Sequence, residues 1–422
     1  MTLLAPLALS AVLATYAAPV PNGPAAAGEV VAVRASKALT CSDGGPAMIV
    51  DPVVLVQDGR IAAIGPASEV DVPEGAEVID YGEAWLAPGF VDLHSHVGGS
   101  RGDINDMVYQ LNSELRVAPA VIPNNPGLHK PLAAGVTTIL FIPGSGTNIG
   151  GQGVLMKCGL AEYEDAVIRD PGSLKIAQGD NPTRWGYGMG RILMNWGLRY
   201  RLRRGRAYAE AWQAFEAGEG PRPERELELD VFRSLYAGEA QVSTHTQYYQ
   251  LVLMSITMLA RDFGLPTFID HGSFDSYLTA PLAMEYGVAA ILGPREIMAP
   301  RPPRFDTDGR IEGTGWGFIQ HGMNEVGFNT DAPVVPQESL HLQAAMGVRY
   351  GLDNDAGQGL RGVTIVPART AGIAHRVGSL EVGKDADIIV TLGDPIDPRT
   401  EFVATWVNGQ PLYDGARDGR AW

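Results

Sequence analysis

The middle of the chain, residues 88–377, alternates short apolar runs with stretches of helical periodicity, such as 208–216, 248–263 and 337–350. The predicted strands are residues 89–93, 136–142, 154–156, 174–177, 241–244, 267–269, 288–292 and 326–329. Strands that alternate with helices in this number predict an α/β fold, a closed (β/α)8 TIM barrel. A doubly wound open sheet is the alternative.

Both ends of the chain have a different texture, because β-rich runs separated by turns replace the helical periodicity. Such runs occur at 30–33, 53–56 and 77–79, and again at 386–391 and 402–409. We therefore expect residues 29–87 and 378–422 to form one small composite β-sandwich beside the barrel of residues 88–377. Two independent β decorations are the alternative.

The first 28 residues carry no charged side chain and contain an apolar run with small residues near Tyr16-Ala17-Ala18. This pattern is typical of a secretory signal peptide, although the basic residues that usually precede the apolar run are missing. We expect an exported protein, periplasmic or secreted, if the leader is a signal peptide, and a cytoplasmic one otherwise. No later stretch approaches the roughly 18–20 continuous apolar residues of a membrane span.

Composition excludes several classes of protein. The 422 residues are 45% hydrophobic, and two cysteines, Cys41 and Cys158, cannot form a disulfide framework. Acidic residues outnumber basic ones 48 to 32, which gives a formal net charge of −16. A field of that sign repels phosphate backbones, so we expect a small-molecule substrate and no nucleic acid. A homo-oligomer is left open.

One charge pattern stands out in the middle of the chain. Five arginines lie within residues 199–206, and an acidic stretch follows at 216–230. Because the two signs balance, we interpret the pattern as a pair of oppositely charged helices or an insertion. A basic patch for an acidic ligand is the alternative.

The sharpest chemical signal is the segment Pro88-Gly89-Phe90-Val91-Asp92-Leu93-His94-Ser95-His96. Positions i and i+2 of a strand point the same way, so His94 and His96 converge at the end of the first barrel strand. Active sites of such barrels form at this end. Two imidazoles on one face are half of a site for zinc or a similar cation.

Further ligand-type side chains end other predicted strands. His245 follows the fifth, His271 follows the sixth, and Asp331 follows the eighth. Lys175 lies at the end of the fourth strand, where an ammonium would repel a cation. A desolvated amine that reacts with carbon dioxide would instead give a carbamate able to bridge two metal ions. Lys157, at the end of the third strand, is a rival for this role.

These residues resemble those of the amidohydrolase superfamily, close to its imidazolonepropionase-like and Xaa-Pro or Xaa-Arg dipeptidase-like branch. The similarity covers nearly everything after residue 29. It rests on Pro88–His96, on Asn329-Thr330-Asp331-Ala332-Pro333 and on the return segment 376–390. After the lysine, residues 178–182 read Gln-Gly-Asp-Asn-Pro and depart from the pattern of many dipeptidase relatives, so the substrate stays open.

The resemblance implies a site and a reaction. Its metal ligands would be His94, His96, His245 and His271, with Lys175 as the carboxylated bridge and Asp331 as the metal-bound general base. One or two divalent ions are expected, with Zn²⁺ first and Mn²⁺, Fe²⁺ or Co²⁺ also suitable. The predicted reaction is hydrolysis of a carbon–nitrogen bond in an amide, a cyclic amide or a dipeptide, by a metal-activated water.

Alternatives accompany this prediction. A mononuclear hydrolase like imidazolonepropionase or a deaminase would not need the carbamate, and a metal-binding barrel without catalysis is the non-enzymatic alternative. The G-x-S-x-G segment 98–102 does not fit a serine hydrolase, because its strand has already ended at His94. His129, in the loop after the first strand, is a weak candidate for substrate contact. His321, His341 and His375 fall on helical stretches and are interpreted as packing or surface residues.

Overall fold

The computed structural model describes residues 28–185, 190–294 and 313–419. Of the predicted leader only Gly28 falls within these ranges, so the prediction of a signal peptide lies outside the described residues.

The strands are numbered along the chain. They are β1 (Val30–Arg34), β2 (Lys37–Leu39), β3 (Met48–Val50), β4 (Pro52–Gln57), β5 (Arg60–Pro66), β6 (Glu77–Asp80), β7 (Trp85–Pro88), β8 (Phe90–Ser95), β9 (Val136–Phe141), β10 (Ile149–Lys157), β11 (Val167–Ala177), β12 (Gln241–Thr246), β13 (Thr267–His271), β14 (Ala289–Leu292), β15 (Gly327–Phe328), β16 (Ile388–Thr391), β17 (Phe402–Val407) and β18 (Gln410–Asp414).

The α-helices are numbered in the same way. They are α1 (Pro126–His129), α2 (Tyr163–Ala166), α3 (Asp180–Trp185), α4 (Arg191–Glu216), α5 (Leu227–Tyr236), α6 (Tyr249–Ser255), α7 (Ala280–Glu285), α8 (Thr314–Gln320), α9 (Leu340–Arg349), α10 (Gln358–Arg361), α11 (Ile365–Thr370) and α12 (Gly415–Asp418). A π-helical stretch, Ile256–Asp262, continues α6. Short 3-10 turns occupy Arg101–Asp103, Ala118–Ala120, Lys130–Ala134, Phe274–Thr279 and Gln337–Ser339.

The barrel is an eight-stranded sheet in which β8 to β15 follow one another in chain order. Each of the eight predicted strands is present, and the in-order arrangement excludes the doubly wound sheet. An isolated parallel bridge from Ser95 to Ala332 brings the two ends of the sheet together. The predicted fold class is therefore confirmed as a nearly closed α/β barrel with additional β sheets.

One strand departs from the regular (β/α)8 pattern. β10 runs antiparallel to both of its neighbours, β9 and β11, whereas the other neighbouring strands of the barrel are parallel. The reason is the length of the connections, 142–148 and 158–166. A parallel crossover needs roughly a dozen residues or more, so these short segments can only form hairpins.

Strands from both ends of the chain meet in a six-stranded sheet with the order β18-β17-β16-β7-β2-β3. Its central strand β7 pairs with the C-terminal β16 on one side and the N-terminal β2 on the other. A second sheet has the order β5-β4-β1-β6, and the side chains of Val33, Val54, Leu86, Ile388 and Trp406 belong to one core between the sheets. This arrangement matches the expected β-sandwich built from both chain ends.

The arginine-rich segment lies on α4, which packs against α5. Arg204 pairs with Glu226 and Glu228, and Arg199 pairs with Asp262. The interpretation as a pair of oppositely charged helices is therefore confirmed. Cys41 and Cys158 are buried free thiols. Among the described residues, no helix combines the length and the apolar character needed to cross a membrane.

Candidate metal centre

The side chains predicted at the ends of the first, fifth, sixth and eighth strands converge at one end of the barrel. His94 belongs to β8, His245 to β12 and His271 to β13, and Asp331 follows β15 by three residues. All four residues are buried. Because these barrel strands are parallel, their C-terminal ends meet at the same rim, as expected for the active end of such a barrel.

His94, His96 and Asp331 form a nearly equilateral triangle of donor atoms. The two imidazole Nε2 atoms lie 3.2 Å apart, and each lies 3.2 Å from Oδ1 of Asp331. Two donors bound about 2.0–2.1 Å from one zinc ion at the tetrahedral angle would lie about 3.3 Å apart. The triangle therefore fits three ligands of a single divalent cation.

A second, overlapping set extends the site to the fifth and sixth strands. One donor atom from each of His94, His245, His271 and Asp331 can be chosen so that all lie within 4.8 Å of one another. Nδ1 of His245 lies 2.8 Å from Nε2 of His271, which in turn is 3.9 Å from Oδ2 of Asp331. The chain thus supplies enough donors for one or two cations.

Backbone carbonyls orient two of these imidazoles. His96 Nδ1 lies 2.8 Å from the carbonyl oxygen of Ile142, and His271 Nδ1 lies 2.9 Å from that of Gly293. A ring nitrogen that donates to a carbonyl carries the proton, so Nε2 of each ring keeps its lone pair. Metal-binding histidines commonly donate such a hydrogen bond from the ring nitrogen that does not bind the metal.

Burial keeps most of the histidines neutral. It lowers the pKa of His96, and it lowers that of His271 to about 4, with the neighbouring His94 adding to the effect. Burial, followed by the proximity of His271, holds the pKa of His245 well below its ordinary value. Neutral imidazoles are the form that binds cations, so these rings are ready to act as ligands at neutral pH.

For His94 and Asp331, nearby charged groups outweigh the effect of burial on the pKa. Burial alone would lower the pKa of His94, but Asp270 and then Asp331 outweigh it and raise that pKa. Burial alone would raise the pKa of Asp331, but His94 and His96 hold it well below its ordinary value. Asp331 is therefore ionised at neutral pH and supplies the negative charge that a cation site needs.

Asp270 is a site residue that the sequence analysis missed. Its Oδ2 lies 2.6 Å from Nδ1 of His94, and its Oδ1 accepts a hydrogen bond of 3.1 Å from Asn329. Strand alternation would turn Asp270 away from the face that carries His271. His271, however, has a left-handed φ of +82°, which breaks the alternation at the strand end. Asp270 and His271 are adjacent in the chain, and both consequently approach His94.

Ser145 was also missed. Its hydroxyl lies 2.8 Å from Nδ1 of His245, and it comes from the Gly-rich hairpin between β9 and β10. The signal available in the sequence is the glycine-rich run of residues 144–153, which is typical of a loop but singles out no residue.

Lys175 reaches the centre, and its rival does not. Lys175 is buried, and its Nζ lies 3.1 Å from Nε2 of His94 and 3.7 Å from Asp270 Oδ2. Burial lowers the pKa of this amine. Lys157 instead forms buried ion pairs with Asp385 and Asp387. The reversed direction of β10 explains the difference, because the end of that strand lies away from the metal-binding rim.

The remaining histidines lie outside the cluster. His129 is exposed and its Nε2 lies 2.6 Å from Oδ1 of Asn124, so its contact with substrate stays a prediction. His321 Nδ1 lies 2.7 Å from the carbonyl oxygen of Gly317 within the turn that ends α8, and His341 packs on Phe402. The serine of the G-x-S-x-G segment, Ser100, caps the 3-10 turn Arg101–Asp103.

Comparison with known proteins agrees with this geometry. Residues 314–413, which contain Asp331 and the return to the small sheets, match the Amidohydrolase family. Amidohydrolase tasK of Hapsidospora irregularis is 28% identical over 86% of this chain, which spans 40% of that relative's length. An imidazolonepropionase of Sphingopyxis alaskensis is 26% identical over 88% of this chain and 93% of its own.

A solved structure supports the same assignment. The crystal structure of an amidohydrolase from Thermotoga maritima superposes on 91% of this chain and 100% of its own, with a TM-score of 0.80 and 25% identity. The matched C-terminal segment, the similarity along most of the chain and the His/Asp cluster at the barrel rim make this chain similar to members of the amidohydrolase superfamily, and they support a metal-dependent hydrolase.

Proposed function

We propose that this protein hydrolyses a carbon–nitrogen bond of an amide, a cyclic amide or a dipeptide, with Asp331 as general base. The observation that carries the proposal is the donor triangle of His94, His96 and Asp331, with 3.2 Å edges, at the active end of the barrel. The tasK and imidazolonepropionase similarities support the same class of reaction.

The donor set fits a divalent cation. Neutral imidazoles and an ionised carboxylate suit Zn²⁺ first, and Mn²⁺, Fe²⁺ or Co²⁺ also accept them. His94, His96 and Asp331 would hold one ion, and His245 and His271 would complete this site or hold a second ion. A bound cation of this kind supplies Lewis acidity, which lowers the pKa of a water molecule and polarises a substrate carbonyl.

The exposure and charge of Asp331 support a role in proton transfer. Its side chain is 12% exposed, compared with 0% for His94 and His271, so its carboxylate is the more accessible end of the cluster. The histidines that lower its pKa keep it ionised and able to accept a proton. We propose that Asp331 takes a proton from the attacking water and transfers it to the leaving nitrogen.

Lys175 supports the carbamate proposal. Its buried amine with a lowered pKa lies among the imidazoles, where an ammonium would oppose a cation. Addition of the neutral amine to carbon dioxide forms an N–C bond and releases one proton. The resulting carbamate would be an anion beside His94 and would supply oxygen donors for one or two cations.

A second candidate is a mononuclear hydrolase of the imidazolonepropionase-like type, in which Lys175 stays an amine. The observation in its favour is the similarity to imidazolonepropionase, which extends over 93% of that relative. The two candidates share the donor triangle and differ in the need for a carbamate.

The test is a screen of amides, cyclic amides and dipeptides with protein loaded with Zn²⁺ or Mn²⁺. We expect hydrolysis of at least one class, and Asp331→Asn should lower kcat by about two orders of magnitude or more. The matched control is Asp262→Asn, the same change at a surface carboxylate that pairs with Arg199. Near-native turnover by Asp331→Asn would reject its role as general base.

A further inference from the structure

The barrel has a seam between its first and eighth strands. β8 and β15 are the two ends of the ordered sheet, and in the described parts of the chain the bridge from Ser95 to Ala332 is their one strand-like contact. Away from the metal centre, carbonyls of the turn 362–363 accept hydrogen bonds from the amides of Phe328 and Val91. At the metal-binding end, the Ser95–Ala332 bridge is accompanied by hydrogen bonds between buried side chains from the two sides of the seam.

Asp92 spans the seam at that end. Its carboxylate is fully buried, and Oδ1 accepts hydrogen bonds from the backbone amides of His94, at 3.1 Å, and Thr330, at 3.4 Å. Its Oδ2 accepts from the hydroxyl of Thr330. Asp92 precedes His94 by two residues, and Thr330 directly precedes Asp331. One carboxylate therefore holds the backbone on both sides of the donor triangle.

Gln337 completes the connection from the segment that follows the eighth strand. It is 2% exposed, and its amide nitrogen donates to Oδ2 of Asp92. Its Oε1 accepts a hydrogen bond of 2.6 Å from the hydroxyl of Ser95. Ser95 lies between His94 and His96 in the chain. A carboxamide is needed here, because a carboxylate could accept from Ser95 but could not donate to Asp92.

Two hydrogen bonds of backbone amides add to this side-chain network at the seam. The amide of His96 donates to the carbonyl of Ala332 at 2.8 Å, and the amide of Ala332 donates to the hydroxyl of Thr330 at 3.1 Å. The side-chain network and these two bonds thus connect residues adjacent to His94, His96 and Asp331.

We propose that Gln337 and Asp92 are positioning residues that set the separation between the His94–His96 pair and Asp331, and through it the affinity for the cation. The inference rests on the proposed metal-dependent function. Neither side chain belongs to the donor set, so both act through the residues they hold. Replacing a residue that holds a metal ligand in position typically lowers metal affinity by about 10–100-fold.

The first experiment compares Gln337→Leu with Gln343→Leu in the full chain. Gln343 is a buried glutamine on α9 and is not part of the network. Zn²⁺ affinity is measured by competition with a chelator, and thermal unfolding is measured on the metal-free proteins. We expect Gln337→Leu to lose about 10–100-fold in affinity and Gln343→Leu to stay within about twofold. A Gln337→Leu protein that only unfolds earlier, with wild-type affinity, would overturn the proposal.

The second experiment exchanges the two functional groups. In Asp92→Asn/Gln337→Glu, the new amide at position 92 can donate to the new carboxylate at position 337, which still accepts from Ser95. We expect this pair to bind Zn²⁺ at least about tenfold more tightly than Asp92→Asn alone. No recovery would contradict the network. Failure of the wild-type chain to bind Zn²⁺ would instead reject the proposed function itself.

Discussion

Asp270 and His94 form a polar contact at the candidate metal centre, with Oδ2 of the carboxylate 2.6 Å from Nδ1 of the imidazole and both side chains fully buried. The contact assigns the ring proton to Nδ1 and leaves Nε2 facing His96 and Asp331. A carboxylate behind a metal-binding histidine makes the ring a stronger ligand and fixes its orientation.

Replacing this carboxylate should weaken metal binding without removing a ligand. Asp270→Asn keeps the shape but loses the charge that raises the pKa of His94. We expect a loss of about 10–100-fold in Zn²⁺ affinity, measured by chelator competition. Asp262→Asn, a surface carboxylate paired with Arg199, is the control. Equal affinities for Asp270→Asn and the wild type would show that the contact has no effect on the ligand.

The carbamate at Lys175 makes metal content depend on carbon dioxide. Protein loaded with Zn²⁺ in bicarbonate should hold about two ions per chain, and protein loaded without carbon dioxide, or Lys175→Ala, about one. Elemental analysis checks this expectation. A stoichiometry near one under every condition, with active Lys175→Ala, would favour the mononuclear alternative.

Lys157 should contribute to stability rather than to metal binding. It is fully buried between Asp385 and Asp387, so Lys157→Met leaves two carboxylates without their shared cation. Breaking a buried ion pair from one side typically costs about 3–5 kcal/mol. Urea unfolding of the metal-free protein measures the loss, with the exposed Lys130→Met as control. Unchanged stability would reject this structural role, and lost Zn²⁺ affinity would place Lys157 in the site after all.

His341 should make stability depend on pH. Burial lowers its pKa in the folded protein from 6.5 to about 4. Between these values the unfolded chain binds the proton and the folded chain does not, so stability is full above about pH 6.5 and declines as pH falls toward 4. The shift corresponds to at most about 3 kcal/mol.

The variant His341→Gln removes this difference. Its stability, from urea unfolding between pH 7 and 4.5, should decline less steeply than that of the wild type. The exposed His375→Gln variant controls for the loss of a histidine. Parallel pH curves for His341→Gln and the wild type would refute the assignment.

Much of the fold could be predicted because apolar runs in the sequence indicate the buried strands. The eight barrel strands and the pairing of β7 with β16 follow from such runs and from their order. The direction of β10 did not follow, because periodicity along a strand does not report its direction. The short connections on either side of β10 contained that information.

The residues of the candidate site likewise include some that the sequence predicts and others that it does not. His94 and His96 could be placed because i, i+2 spacing on a strand fixes a shared face. Asp270 could not, since the positive φ of His271 that brings it inward is a property of the folded backbone. Gln337 lies in a 3-10 turn after the barrel strands, and its link to Asp92 across 245 positions has no local signal.

Metal content of the purified protein shows whether the donor cluster at the barrel rim holds a cation. We predict about one to two ions of Zn²⁺ or a similar cation per chain after metal-supplemented expression, measured by elemental analysis of the purified protein. The His94→Ala/His96→Ala variant, folded by circular dichroism, should lose most of this metal. Less than about 0.2 ion per wild-type chain, or equal metal in the double variant, would contradict a metal centre built on His94 and His96.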